Sequence, residues 1–234
     1  MKFAIIAAGE GSRLAAEGIS EPKPLVQVNG ECLIDRLIRI FLNHDAEEIV
    51  CICNDRSGQV AAHLSAIQRD GLNGRRVPLR FVAKHTPSSM HSFFEISKYL
   101  LDVPFILTTV DTVFSEQEFT RYVEAFNHCA CDGLMGVTGY VDDERPLWVE
   151  VDRHQQVTGF YDEQHNCQLV SAGIYGLKPS AIFTLNNCIA RGDSRLRSFQ
   201  RAMLSDGRRL QAWTFAKVVD VDHAGDIRVA EQLT

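Results

Sequence analysis

Arg13 and Lys23 stand in stretches of backbone suited to holding an anion. Gly9 and Gly11, one residue apart, let the chain bend sharply and bring the bare N–H groups of Ala8 to Ser12 close to a phosphate. Arg13 adds a forked, permanently charged donor at the same place. Lys23 lies between Pro22 and Pro24, so its backbone is held extended and little entropy remains to be lost when its amine is aimed. Neither cation has an obvious carboxylate partner nearby. The unit reads as a cradle for a polyphosphate, with Ala8, Gly9, Gly11 and Ser12 binding the nucleotide and Arg13 and Lys23 acting on its charge.

Two other phosphate loops fail on the same residues. A dinucleotide fingerprint wants a third small residue where Leu14 stands and an acid ending a second strand, and Glu31 precedes an apolar helical stretch instead. A P-loop wants Gly-Lys-Ser/Thr, and the chain reads Gly11-Ser12-Arg13.

The carboxylates that could face this cradle come much later. The apolar run Phe105 to Val110 ends on Asp111, and in an open α/β sheet the carboxyl ends of the strands border the ligand crevice. The competing reading makes Asp111 a cap for a helix that starts near Ser115. Near the end of the chain, Val218-Val219-Asp220-Val221-Asp222 reads as a strand whose alternation puts Asp220 and Asp222 on one face. Spacing leaves open which of the two reaches a ligand. Asp222 also reads as the N-cap of a last helix.

The linked motifs Ala7-Ala8-Gly9-x-Gly11-x-Arg13-Leu14 and Pro22-Lys23-Pro24-Leu25 resemble the signature of the sugar-1-phosphate nucleotidyltransferases and related nucleotidylyltransferases. The resemblance implies a single-domain, Rossmann-like α/β fold with a mixed, mostly parallel sheet flanked by helices, an NTP substrate and Mg2+. It places Asp111 and Asp222 as the metal ligands, although Val110 stands where the family more often has Gly, and His223-Ala224-Gly225 replaces the usual Thr-Pro-Glu. One Asp rarely holds Mg2+ without substrate oxygens and a second acid, which is why the pair matters.

Thr86 to Phe93 falls where the family contacts the nucleobase, with Ser88 and Ser89 as the nucleotide-side residues and His91 as a packing or base-side residue. Ser171-Ala172-Gly173-Ile174-Tyr175 is similar to the family's Asn-Ala-Gly-Ile-Tyr, which implies that Ala172 and Gly173 meet the acceptor. Asp162-Glu163 stands where the family carries Glu-Lys, so Lys217 is offered as a substitute cation. Arg191, Arg195, Arg197, Arg201, Arg208 and Arg209 read as a solvated helix face.

These residues need a scaffold, and the hydrophobic pattern supplies one. Strands are expected over 3–7, 48–53, 79–83 and 104–109, and helices over 32–43, 56–70 and 90–101, a rhythm of parallel βαβ units with right-handed crossovers. From about 133 the rhythm changes to closely spaced strand-like segments at 133–140, 147–151, 157–161 and 168–177. That stretch, about 133–178, is taken as a β-rich acceptor-binding portion of one domain spanning 1–234. Helices at 179–190 and 195–205, a strand at 210–215 and a helix from about 224 complete the reading.

Composition narrows the partners. The 234 residues, 45% hydrophobic, suffice for a full α/β core, and a net charge of −6 argues against nucleic acid or an anionic membrane as the main partner. No apolar run reaches the ~18 residues of a membrane span, and Met1-Lys2 leads straight into a strand, so no signal peptide is expected. The 7 dispersed cysteines fit buried thiols in a reducing cytoplasm better than a disulfide framework, and His128-Cys129-Ala130-Cys131 lacks the second cluster a zinc site needs.

The function expected is therefore a Mg2+-dependent nucleotidyltransferase that couples an NTP to a sugar-1-phosphate or similar phosphorylated metabolite and releases pyrophosphate. A non-catalytic nucleotide sensor would lack the metal acids, and a dinucleotide-dependent oxidoreductase is disfavoured by Leu14. The base, the acceptor and the oligomeric state, a homo-oligomer included, stay open at this point.

Overall fold

The computed structural model describes residues 1–56 and 58–233. β1 (Lys2–Ala7) lies at the centre, and all six residues are buried. Its alternation explains why no polar face was visible: Phe3, Ile5 and Ala7 point into one core layer and Ala4 and Ile6 into another. A strand covered on both faces reads as a continuous apolar run.

β1 leads through the glycine loop to α1 (Ser12–Ala16), a 3-10 turn at Lys23–Leu25, and a small hairpin of β2 (Gln27–Val28) and β3 (Glu31–Cys32). α2 (Leu33–Asn43), β4 (Glu48–Cys53), α3 (Gly58–Asp70), β5 (Leu79–Ala83), α4 (Ser89–Ser97) and β6 (Phe105–Thr109) follow in the expected rhythm. Of the helix expected over 56–70, position 57 lies outside the described residues, as does position 234 of the expected domain. β4 and β6 flank β1 in parallel and β5 pairs with β4 in parallel, so the carboxyl ends of all four strands open on one side.

The second half enters the same sheet antiparallel. After β7 (Thr112–Phe114) and α5 (Glu116–His128) come β8 (Gly133–Thr138), β9 (Trp148–Val151), β10 (Val157–Tyr161) and β11 (Leu169–Leu177). β11 pairs with β6, β8 and β9, and its register shifts between Ser171 and Tyr175. α6 (Ala181–Ala190), α7 (Leu196–Ser205), β12 (Leu210–Phe215), β13 (Val218–Asp220) and α8 (Ala224–Glu231) end the chain. Helices α2, α3 and α5 cover one face of the sheet and α4, α6 and α7 the other. No helix of the described residues is long and apolar enough to cross a membrane.

Three expectations are corrected. Asp111 does not cap the helix near Ser115; that segment is α5, whose N-cap is Ser115 and whose buried Phe119, Tyr122, Val123 and Phe126 recur at helical spacing. The strand before Asp222 stops at Asp220, where the Asp222 N–H donates to the Asp220 carbonyl (3.0 Å) and turns the chain. The two acids therefore do not share a strand face. Finally, Cys129 and Cys131 form a disulfide with Cα atoms 5.3 Å apart, while Cys32, Cys51, Cys53, Cys167 and Cys188 are free thiols. The bend leaving α5 brings two cysteines one residue apart within bonding range, which dispersal along the sequence did not suggest.

Candidate active site

The loop from β1 to α1 is shaped by Gly11. Its φ of +63° is left-handed, and a Cβ there would stand 3.0 Å from the Lys23 Cβ. Glycine at this position lets the proline-flanked turn close over the loop. Gly9, Gly11, Ser12, Ser88, Ser89 and the backbone of Ala8 border one open cavity of about 550 Å3 at the carboxyl ends of β1 and β6. That volume lies in the range of small-molecule and cofactor sites. Ser88 is the N-cap of α4, and its hydroxyl is 2.9 Å from His91 Nδ1, which keeps His91 beside the loop rather than in the cavity.

Lys23 has two carboxylate partners that the sequence reading lacked. Its Nζ donates to Asp111 Oδ2 (2.5 Å) and to Asp222 Oδ1 (2.5 Å). Arg13 Nη1 donates to the other oxygen of Asp222 (2.6 Å). The partners are invisible locally because they lie 88, 199 and 209 positions away in the chain. β13 creates this meeting point by pairing antiparallel with β7, which follows Asp111, and the Val221 N–H donates to the Asp111 carbonyl (3.0 Å).

The charges act strongly on one another. Burial alone would lower the Lys23 pKa, but the charges of Asp111 and Asp222 outweigh it and raise it. For Asp111 burial pushes up, and the Lys23 charge and hydrogen bond overcome it and hold the carboxyl below its ordinary range. Asp220 is placed differently. It accepts from Thr112 Oγ1 (3.2 Å) and opens into the crevice, and the surrounding protein together with the Asp111 charge pushes its carboxyl up to about 8. Its oxygens have neither Lys23 nor Arg13 as a hydrogen-bonded partner. Asp222, not Asp220, thus shares a cation with Asp111.

The residues fit a divalent cation in a limited way. Asp111 Oδ1 is buried and has no hydrogen-bond partner among the described residues. No three His, Cys, Asp or Glu side chains of the described residues converge as a ready cage. Mg2+ characteristically takes one or two carboxylates and fills the rest of its octahedron with water and substrate phosphate oxygens.

A second cavity, of about 420 Å3, opens on the other side of Arg13, Asp111 and Asp222. Gly173 and Ser171 border it, while Ala172 borders an adjoining recess. Gly173 sits at the register shift of β11 with φ +70°, and a Cβ there would come within 2.7 Å of Thr112 Oγ1. Lys217 does not reach these cavities; its Nζ rests 4.4 Å from the centre of the Tyr140 ring. Besides Arg13, the cations lining the second cavity are Arg145, Arg195 and Arg197. This corrects the reading of the arginines as a solvated helix face for two of them. Arg197 is held by Asp162 (2.5 Å), one of the acids standing in the place of the family's Glu-Lys. Arg201 pairs with the same Asp162, and Arg191 with Asp193. Glu150 is committed to Thr158 and Tyr161, and Asp152 to the turn between β9 and β10.

Residues 3–171 match the model of the MobA-like NTP transferase domain. The chain belongs to that family. The match takes in Arg13, Lys23 and Asp111 and stops short of Asp222. Among curated proteins the chain is similar to the bifunctional IPC transferase and DIPP synthase of Rubrobacter xylanophilus, 26% identical over 243 residues that cover 98% of this chain and 51% of that protein. It therefore spans about half the length of this relative.

Two solved structures share the fold. The inositol-1-phosphate CTP transferase from T. maritima superposes with a TM-score of 0.81 at 17% identity, covering 99% of this chain and 94% of that one. A putative glucose-1-phosphate thymidylyltransferase from Bacillus anthracis, in complex with a sucrose, gives 0.84 at 18%, covering 100% and 94%. The fold is that of these nucleotidyltransferases, a mixed central sheet flanked by helices.

Proposed function

We propose that the protein transfers the nucleotidyl group of an NTP to a phosphorylated small-molecule acceptor and releases pyrophosphate. The observation that carries this reading is that the two cavities meet at Arg13, Asp111 and Asp222. One side offers a glycine-lined backbone and the N-terminal end of α4; the other offers small backbone and arginines. An acceptor phosphate oxygen attacks the α-phosphorus, the bond to the bridging oxygen breaks, and pyrophosphate leaves with that electron pair.

Both reactants are anions, so repulsion between them is the first obstacle. Arg13 and Lys23 are placed to turn from the acids to the phosphates, and the N–H groups of the Gly9 to Ser12 loop are fixed donors for the leaving pyrophosphate. Arg195 and Arg145, which line the second cavity, are the groups we assign to the acceptor phosphate. Holding the two substrates on either side of one point supplies several kcal/mol of the barrier reduction on its own. Asp111 and Asp222 would hold Mg2+, which when bound neutralises phosphate charge and polarises the phosphoryl oxygen. We place the reaction in the cytoplasm, where NTPs are held.

The names of the relatives set the order of a screen. CTP with inositol-1-phosphate and dTTP with glucose-1-phosphate come first, then the remaining NTPs against other sugar phosphates and phosphocholine, with pyrophosphate release as the readout. Mg2+-dependent release that requires both an NTP and an acceptor is expected. Nucleotide binding without release for every pair would replace this reading by the sensor.

A further inference from the structure

We infer that Glu17 is a positioning residue that tethers the Asp222 segment to the nucleotide loop. The inference rests on the function proposed above. Arg13, in the first turn of α1, and Glu17, the residue that caps its C-terminal end, are four positions apart and project on the same side. They grip consecutive residues of the incoming chain: Arg13 takes the Asp222 carboxylate (2.6 Å), while Glu17 takes His223 Nδ1 (2.5 Å) and the Ala224 N–H (2.7 Å). The Ala224 N–H is one of the unpaired donors at the start of α8, which an acidic partner satisfies. From the other side Asp226 Oδ2 accepts the N–H groups of Asp222 (2.9 Å) and His223 (2.6 Å).

The two grips differ in what substrate does to them. Arg13 lines both cavities and is drawn to phosphate when the nucleotide enters. Glu17 lines neither, so no substrate competes for it. α1 has little else to anchor it, since of its residues only Leu14 is buried. Once Arg13 and Lys23, which also holds Asp222 (2.5 Å), have both turned to phosphate, the contacts of Glu17 are the polar link that keeps Asp222 at a fixed distance from the loop. The His223 and Ala224 positions, where the chain departs from the usual Thr-Pro-Glu, are the ones Glu17 holds.

The test uses Glu17→Ala and, as the conservative variant, Glu17→Gln, which keeps one acceptor oxygen. Two readouts are measured on the full chain: the Mg2+ concentration giving half-maximal pyrophosphate release, and deuterium exchange of residues 221–226 with Mg2+ and pyrophosphate present. For Glu17→Ala both are expected to rise threefold or more, with the NTP KM within twofold of wild type and Glu17→Gln in between. A threefold rise in half-saturation marks a role at the metal acids, because a merely structural loss lowers the active fraction without moving it. If either readout changes less than threefold in Glu17→Ala, the tether is wrong. Failure of the wild type to release pyrophosphate would overturn the proposed activity instead, and the exchange measurement would still decide the tether.

Discussion

Lys23 Nζ lies 2.5 Å from Asp111 Oδ2, and the same ammonium reaches Asp222 Oδ1 at 2.5 Å. A single lysine thus bridges two acids that come together from the ends of separate strands, and Arg13 supplies the second positive charge on Asp222. Lys23 stands against the oxygens that a divalent cation would share, while Asp111 Oδ1 has no hydrogen-bond partner among the described residues. Lys23 holds the two acids together here, and on the function proposed above it would also meet the phosphates of the substrate.

Lys23→Ala separates these roles. Removing the ammonium leaves Asp111 and Asp222 facing each other in a half-buried crevice, which should cost about 1–3 kcal/mol in the absence of metal. Turnover should fall tenfold or more, by the loss of a cation from a polyphosphate site. Calorimetry with and without Mg2+ checks the first effect: the melting temperature of the variant is expected to drop in EDTA and to recover more on adding Mg2+ than that of the wild type. Equal Mg2+ responses would mean that the lysine does not stand in for a cation.

Gly11→Ala tests the loop. Alanine at φ +63° costs about 1–2 kcal/mol of backbone strain, and its Cβ would press on the Lys23 Cβ at 3.0 Å. The variant should fold with a lower melting temperature and show a KM for NTP raised several-fold, because the same turn carries Lys23 and the phosphate-facing amides. Steady-state kinetics over NTP concentration would expose an unchanged KM, which would remove the loop from nucleotide binding.

The parts of this site that the sequence disclosed are the parts encoded by local backbone demands. Gly9-x-Gly11 and Pro22-Lys23-Pro24 announce a shape because glycine and proline restrict or free φ where they stand. Asp111 was legible because an apolar strand ends on it. The partners of Lys23 and Arg13 were not, since an ion pair across 199 or 209 positions leaves no periodicity. The same holds for the turn that takes Asp222 off the strand: it depends on one backbone hydrogen bond back to Asp220. Lys217 is close to Asp222 in sequence, but its ammonium lies over the Tyr140 ring instead. Arg195 and Arg197 read as a solvated face because what turns them toward the second cavity is remote in the chain, Asp162 lying 35 positions from Arg197. Glu17 had a faint signal, four residues after Arg13, but no visible partner.

His44 supplies a pH prediction away from the site. Its ring packs edge-on to Phe119 at 5.5 Å, and burial lowers its pKa despite the carboxylates of Asp45, Glu116 and Glu124, which act in the opposite sense. Below about pH 6.5 the unfolded chain binds a proton there that the folded chain refuses, so this contribution to stability is present above that pH and is lost as pH falls. The wild type is expected to lose about 1–3 °C more of its melting temperature than His44→Gln between pH 7.5 and 5.5. Parallel melting curves for the two proteins across that range would show that His44 is not held neutral by the fold.

The metal prediction bears on the reaction itself. Asp111→Asn keeps shape and one acceptor oxygen but removes the negative charge that a hard cation requires. Pyrophosphate release should fall by roughly a hundredfold or more, the scale of losing one strong transition-state contact. Asp222→Asn should do the same, although for an added reason: it also weakens the hold on Arg13, whose Nη1 donates to Asp222 Oδ2 at 2.6 Å. The double variant should be little worse than either single one, since both acids serve one ion and residues that act as a unit are not additive. Asp220→Asn should be milder, within about tenfold, because the Asp220 carboxyl is already pushed up to about 8 and its partner is Thr112 rather than a cation. EDTA should abolish wild-type activity and Mg2+ restore it. Full activity of Asp111→Asn, or equal wild-type rates in EDTA, would show that these acids do not hold a metal and that Lys23 alone carries the charge between them.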